Sequence, residues 1–131
     1  MANLSQVIKS ADWKTEKHVP VIELPEGIQA GAEFGVKVSL GKGVAHPNTT
    51  EHHIAWISVY FQPEGAPVPF QVGHFEFTAH GESAAGPNQG PLHTSPSVVV
   101  TIKTDKPGAI QALSFCNIHG AWESSAEVKF S

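Results

Sequence analysis

The chain contains one cysteine, and a histidine follows it three residues later, in the segment Phe115-Cys116-Asn117-Ile118-His119-Gly120. A lone cysteine cannot form an intramolecular disulfide, so a structural bridge within the chain is excluded. A thiolate and an imidazole at this spacing can both reach one metal ion from a single tight turn. A Cys-x-x-His motif alone is a weak signal, and a buried, inert cysteine beside an unrelated histidine is the alternative.

Histidine is unusually frequent in this chain, which has eight histidines and only eight lysines and arginines together. The Cys and His residues at the ends of predicted strands or in loops are His18, His46, His52, Cys116 and His119. A thiolate with imidazoles suits iron, copper or zinc rather than calcium or magnesium. Structural zinc is closed by four ligands, and blue copper usually has an axial methionine. Five ligands leave an open position, at which iron can meet a small molecule.

Short strands are predicted to position these residues, because apolar residues alternate and turn signals recur between the segments. The predicted strands cover residues 18–24, 33–40, 53–62, 70–79, 97–103, 109–115 and 124–130. Strand 33–40 should bury Phe34, Val36, Val38 and Leu40 on one face. Strand 53–62 is nearly all apolar and is predicted to be central and buried on both faces. Helix is expected only around Leu4 to Ile8.

This pattern predicts an all-β fold, an immunoglobulin-like antiparallel β-sandwich of about seven strands. Residues 1–131 are expected to form a single domain, in which a short N-terminal segment leads into the first ligand loop. Loops from distant parts of a sandwich gather at its ends, so the five candidate ligands can converge there. The segment 80–96 is a long Gly- and Pro-containing loop, and loops of this length are usually functional or mobile.

Charge and hydropathy exclude several classes of function. The net charge is −4 with neutral histidines, and no run of Lys or Arg is present, so nucleic acid is not expected as a partner. No apolar run approaches the length of a membrane span, so no membrane association is expected. The N-terminus has no basic region followed by an apolar one. One cysteine and no secretory signal predict a cytoplasmic protein.

Four segments together resemble the superoxide reductase family, whose one-iron members are called neelaredoxins and whose two-iron members are called desulfoferrodoxins. The resemblance runs from about Ser10 to the C-terminus. The segments are Asp12 to Glu23, His46-Pro47-Asn48-Thr49-Thr50-Glu51-His52-His53-Ile54, Phe77 to Ser83, and Ser114 to Glu123. Two-iron members carry an additional N-terminal domain with four cysteine ligands, which this chain does not have. The chain is therefore similar to the one-iron class.

The resemblance implies one non-haem iron ion per chain, cycling between Fe²⁺ and Fe³⁺. The equatorial ligands would be His18, His46, His52 and His119, and the axial ligand would be the Cys116 thiolate. Glu16 matches a distal ligand of ferric iron, and Lys17 matches a residue that attracts superoxide and assists proton delivery. The other histidines match no ligand position and are predicted to be structural or surface residues: His53, His74, His80 and His93.

The resemblance also implies the reaction, which is one-electron reduction of superoxide to hydrogen peroxide without release of O₂. An external electron donor such as rubredoxin is required, and a homo-oligomer is expected, a tetramer in preference to a dimer. The backbone N–H groups of Ile118 and His119 are candidates to bond the sulfur and tune its potential. The rival hypotheses are a cupredoxin-like electron-transfer protein and a binding sandwich without chemistry.

Overall fold

The computed structural model describes all 131 residues and contains seven strands and one short helix. The elements are α1 (Leu4–Val7), β1 (Val21–Glu23), β2 (Phe34–Ser39), β3 (Ile54–Pro63), β4 (Phe70–Glu76), β5 (Ser97–Ile102), β6 (Gly108–Cys116) and β7 (Gly120–Val128). The strands form a three-stranded sheet in the order β1-β2-β5 and a four-stranded sheet in the order β4-β3-β6-β7. Every strand pair is antiparallel. The predicted antiparallel sandwich of seven strands is confirmed.

The register of the sheets places all of the ligand-bearing segments at one end of the sandwich. The last residue of β6, Cys116, pairs with the first residue of β3, Ile54. In the other sheet, Ser39 at the end of β2 pairs with Val21 at the start of β1 and with Ser97 at the start of β5. The residues before β1, the β2–β3 and β4–β5 connections between the sheets and the β6–β7 turn therefore all meet at this end.

The core between the sheets is built mainly from alternating aliphatic side chains. Phe34, Val36, Val38 and Leu40 are all buried, as their alternation predicts. Ile57 and Val59 face them from the second sheet and are fully buried. Because β-branched and aromatic side chains suit a half-buried pleated surface, these sequences form strands rather than helices.

Strand β3 is central in its sheet, between β4 and β6, but the prediction that it is buried on both faces is wrong. On its outward face Ser58 is buried beside His74, but the large side chains of Trp56 and Tyr60 are only half-buried. No third layer covers this face of the sheet. The long apolar run instead reflects an inner face of aliphatic residues and an outer face of aromatic ones.

The strand boundaries differ from the predicted ones mostly at the ends. Strand β7 begins at Gly120 rather than at residue 124, because Gly120 adopts a left-handed φ of 79° and reverses the chain directly into the new strand. Strand β1 has three residues, and it lies at the edge of its sheet, which the preceding Pro20 favours. None of the helices has the length and apolar character that crossing a membrane would require.

Candidate metal centre

Four of the predicted ligands form one compact cluster at the loop end of the sandwich. The cluster contains His18, His52, Cys116 and His119, and one donor atom from each lies within 4.8 Å of the donor atoms of the others. His18 and Cys116 are buried, His52 is half-buried and His119 is exposed. The cluster is thus closed on the side of the sulfur and accessible on the side of His119.

The fifth predicted ligand, His46, lies outside this compact group but adjacent to it. Its ring centroid is 5.0 Å from that of His18 and 4.8 Å from that of His52. His46 Nδ1 lies 2.7 Å from the carbonyl oxygen of Pro47, which needs an N–H at that position and leaves Nε2 as the lone-pair nitrogen. His46 Nε2 and His52 Nε2 are both buried without any hydrogen-bond partner.

The turn between β6 and β7 positions Cys116 and His119. Cys116 is 1% exposed and accepts a hydrogen bond from the His119 backbone N–H at 3.4 Å. His119 Nδ1 lies 3.7 Å from the sulfur and 3.1 Å from His18 Nε2. The expected second bond, from the Ile118 N–H to the sulfur, is absent. In this tight turn only the N–H three residues after Cys116 reaches back to the sulfur.

His18 is oriented by partners on both sides of its ring. Glu16 Oε1 accepts a hydrogen bond from the His18 backbone N–H at 3.0 Å and lies 2.6 Å from His18 Nδ1. This contact turns His18 Nε2 toward the cluster. The indole of Trp122 stacks on the imidazole with the ring centroids 5.1 Å apart and the planes 18° from parallel. The Glu16 carboxylate therefore lies on a ligand and is not one of the four clustered donors.

The electrostatics of the site favour the neutral form of two imidazoles, those of His46 and His52. Burial lowers the pKa of His46 to about 4, and the charges of His18, His52 and Lys17 lower it further, against the opposing effect of the Pro47 carbonyl. The pKa of His52 is lowered by burial first and then by the charges of His119 and Lys17. Neutral imidazoles have the lone pairs that a metal requires. The charge of Lys17, which is half-buried, acts directly on this group of rings.

Hydrogen bonds to the Glu16 side chain also keep it ionised at neutral pH. Burial raises its pKa, but the His18 N–H and the His18 ring outweigh burial, and the Lys17 charge adds to them, so the pKa is lowered overall. Glu16 is therefore a carboxylate at neutral pH. The site thus combines an anionic group on His18 with a lysine whose charge acts on His46 and His52.

Asn117 holds the two ligand loops together, a function that sequence analysis did not assign to it. Its Oδ1 accepts from the His53 N–H at 2.9 Å, and its Nδ2 donates to the Glu51 carbonyl oxygen at 2.9 Å. Its backbone N–H also donates to the His53 carbonyl oxygen. The segment containing Cys116 is therefore fixed against the segment containing His52. The only sequence signal was the position of Asn117 between the cysteine and the histidine of the motif.

The remaining histidines lie outside the cluster. His74 Nδ1 is 2.6 Å from Ser58 Oγ on the outer face of the four-stranded sheet. The rings of His53 and His80 stack in parallel, with centroids 3.6 Å apart, and His93 forms an isolated bridge with His80. Met1 is fully exposed, so no methionine is placed to act as the axial ligand of a blue copper site.

The donor set fits a transition metal on structural grounds. Burying a polar nitrogen without a partner is unfavourable, and here two such nitrogens are present, His46 Nε2 and His52 Nε2, of which the second belongs to the cluster with the buried Cys116 thiol. A cation that binds imidazole and thiolate would satisfy both. Sulfur with several imidazoles matches iron, copper or zinc and not the oxygen-seeking cations.

Comparison with known proteins narrows this choice. The family model for desulfoferrodoxin matches residues 10–125. The chain is 58% identical to neelaredoxin of Megalodesulfovibrio gigas over 125 residues, which cover 95% of this chain and 96% of the relative. It is 52% identical to superoxide reductase of Pyrococcus furiosus over 126 residues, 96% of this chain and 99% of the relative.

A solved structure is similar over nearly the same length. The superoxide reductase (neelaredoxin) of Archaeoglobus fulgidus in the reduced form superposes with a TM-score of 0.88 at 51% identity. The match covers 95% of this chain and 99% of that one. At this identity the likeness extends beyond the fold to the overall sequence.

The first prediction concerns the unpartnered nitrogens. His46→Ala or His52→Ala should lower metal content strongly, with a loss of affinity greater than the about 10–100-fold that removal of an outer partner typically causes. His74→Ala is the matched control for His46→Ala, because each removes a ring with one hydrogen bond and the His74 ring lies away from the cluster. Elemental analysis of the purified variants measures the effect. Full metal occupancy in both loop variants would exclude these residues as ligands.

Proposed function

This chain belongs to the desulfoferrodoxin family, in its one-iron superoxide reductase class, and from that membership we propose how its own residues carry out the reaction. The protein is an oxidoreductase that reduces superoxide to hydrogen peroxide and so serves in defence against oxidative stress. We propose that each chain holds one iron ion through His18, His46, His52, His119 and Cys116.

The strongest support for this ligand set is the pair of buried imidazole nitrogens, His46 Nε2 and His52 Nε2, that have no partner in the protein. The sulfur of Cys116 and the rings of His18 and His119 lie close enough to share one ion with His52. Bound there, Fe²⁺ supplies the single electron that, with two protons, converts superoxide into hydrogen peroxide. The His119 N–H on the sulfur reduces the electron density of the thiolate and so adjusts its donor strength.

Lys17 attracts the substrate and supplies a proton in this proposal. Superoxide is an anion, whereas the chain carries a net charge of −4, so attraction must come from local positive charge. The charge of Lys17 already acts on His46 and His52. The Lys17 ammonium Nζ is also the nearest strong donor in sequence to the buried His18, and it can pass a proton, through water, to reduced oxygen.

Glu16 has two functions in this proposal. It orients His18, because its carboxylate accepts from the His18 N–H and contacts the His18 ring. Glu16 would also be able to bind the iron in the oxidised enzyme, for which its carboxylate would have to leave His18 Nδ1. The half-buried position of the Glu16 side chain leaves room for such a change.

The remaining features of the proposal extend beyond the site. We take residues 1–131 as a single superoxide reductase domain that works in the cytoplasm. A small external donor such as rubredoxin would deliver electrons on the accessible side, where His119 is exposed. A homo-oligomer, a tetramer rather than a dimer, would cover exposed apolar side chains such as Phe70 and Val99. Sedimentation equilibrium distinguishes the two assemblies.

The central test of the proposal is Cys116→Ser. A hydroxyl is a poor ligand for this purpose and a weak electron donor compared with a thiolate. The variant should lose the visible thiolate-to-iron charge-transfer absorption and its superoxide reductase activity. Metal analysis, an absorption spectrum of the oxidised protein and superoxide consumption without O₂ release together measure this. An unchanged visible spectrum would remove Cys116 as a ligand.

A second prediction concerns Lys17. Lys17→Ala should slow the bimolecular reaction with superoxide by about tenfold at low salt and flatten its dependence on ionic strength, because screened attraction causes that dependence. Lys17→Arg should retain both. Lys129, next to the far end of β7, is exposed and gives the matched control, Lys129→Ala. Pulse radiolysis over a salt series measures the rates, and a wild-type rate in Lys17→Ala would exclude attraction by this residue.

A third prediction separates the two functions of Glu16. Glu16→Gln keeps an oxygen for the His18 N–H but removes the charge, whereas Glu16→Ala removes both. Distal ligation predicts that both variants alter the resting ferric spectrum while the first encounter with superoxide stays nearly as fast. Orientation of His18 alone predicts a wild-type spectrum in Glu16→Gln and a changed one in Glu16→Ala. Absorption and electron paramagnetic resonance of the oxidised proteins decide between them.

A further inference from the structure

The connection between β4 and β5 runs beside the loop that carries His46 and His52. The two connections are neighbours because Glu76, at the end of β4, pairs with Trp56 near the start of β3, and Ser97, at the start of β5, pairs with Ser39 at the end of β2. Both therefore cross between the sheets at the same end of the sandwich. Residues 80–94 of this connection form no strand, and none of them has a place in the proposed reaction.

His80 anchors the first part of this segment under the ligand loop. The residue is 3% exposed. Its Nδ1 lies 3.0 Å from Asn48 Oδ1, and its Nε2 lies 2.8 Å from the Phe77 carbonyl oxygen. Its ring stacks on that of His53 with only 4° between the planes. Asn48 in turn donates from Nδ2 to the Thr94 carbonyl oxygen at 3.0 Å. The segment therefore contacts the ligand loop at two residues, Asn48 through hydrogen bonds and His53 through ring stacking.

Asn88 contacts the middle of the same loop from the outside. Its Oδ1 accepts from the Thr50 backbone N–H at 2.8 Å. Its Nδ2 donates to both carboxylate oxygens of Glu51, at 2.9 and 3.0 Å. Every hydrogen bond of the Asn88 amide is therefore made with Thr50 or Glu51, the two residues that precede His52.

The backbone of Asn88 is also unusual, since its φ of 63° makes it the only non-glycine residue with a positive φ. Asparagine tolerates this region better than most residues, so a turn requirement by itself could account for its presence. A residue that serves only the turn would use its side chain locally, as Ser83 does when its Oγ accepts from the Ala85 N–H. The side-chain amide of Asn88 instead makes its hydrogen bonds with Thr50 and Glu51.

We propose that residues 80–94 are a clamp that fixes the loop 46–53, with Asn88 and His80 as positioning residues for the ligands His46 and His52. The clamp orders the loop before metal binds, which reduces the conformational freedom that binding must remove. Partners outside the ligand shell typically change metal affinity by about 10–100-fold. The inference rests on the proposed function insofar as it takes His46 and His52 as iron ligands.

The test uses Asn88→Gly, because Asn88 is exposed and glycine adopts a positive φ without strain. If Asn88 serves only the turn, this variant should behave as wild type. The clamp predicts an unchanged thermal midpoint but about tenfold faster iron release to a chelator from the loaded enzyme. Asn88→Asp tolerates the same backbone and keeps an acceptor for Thr50, but it sets a carboxylate against Glu51, so it should release iron at least as fast.

Amide hydrogen exchange of the metal-free protein gives a second measurement. The Thr50 N–H loses its own partner in Asn88→Gly and is not informative. The N–H groups of Thr49, His52 and His53 bond to the His52 carbonyl oxygen, Thr49 Oγ1 and Asn117 Oδ1. None of these partners is altered, so about tenfold faster exchange there reports loosening of the whole loop.

The matched control is Ser83→Ala, which removes a hydrogen bond internal to the segment and leaves the contacts of Asn88 intact. It should match wild type in both measurements. Wild-type iron release and exchange in Asn88→Gly and Asn88→Asp would overturn the clamp. Failure of the iron site would appear separately, as retained iron in His46→Ala and His52→Ala, whereas exchange in the metal-free protein tests the clamp alone.

Discussion

The folded chain buries His46 Nε2 and His52 Nε2 with no hydrogen-bond partner. This burial costs free energy, and contacts at the loop end of the molecule hold the two rings in place despite that cost. Buried polar groups are nearly always paired, because leaving one unpaired costs on the order of 1–3 kcal/mol. Here the loop that carries both rings is held from two sides, by Asn117 and by Asn88. The unpaired nitrogens are therefore a fixed feature of the fold, and a metal ion that bound both of them in the folded state would offset their cost.

Convergence of the donors follows from strand register and not from local sequence. His18 and His119 are 101 residues apart, yet their ring nitrogens lie 3.1 Å from each other. The antiparallel pairs that bring Cys116 opposite Ile54 and Val21 opposite Ser39 carry each donor to the same end. A one-residue slip of a strand would move all of its side chains to the opposite face, so the buried aliphatic core that sets the register also sets the relative positions of the candidate ligands.

The sequence alone predicted those structural features that depend on patterns among residues close together in the chain. The alternation in β2 identified its inner face, and the spacing of Cys116 and His119 identified a turn with two donors. The start of β7 was predicted too late because Gly120 resembles a turn residue, although it opens the strand. Contacts between distant loops carry no such pattern: the Glu16 carboxylate on His18, Trp122 over the same ring, and the bonds from Asn88 all depend on which connections the topology makes neighbours.

The candidate ligands are buried to different extents, so one side of the site is enclosed by the protein and the other faces solvent. Cys116 is 1% exposed, whereas His119 is exposed and Lys17 is half-buried. Oxidation of a cysteine depends on thiolate character and on access of the oxidant. A site that forms hydrogen peroxide next to a thiolate must therefore separate the two. Burial of the Cys116 sulfur at the end of β6 restricts access of an oxidant from solvent, whereas His119 on the other side of the cluster meets solvent. The same burial that shields the sulfur leaves the cluster accessible on the side of His119, so with the proposed ligand set superoxide would reach the site from that side.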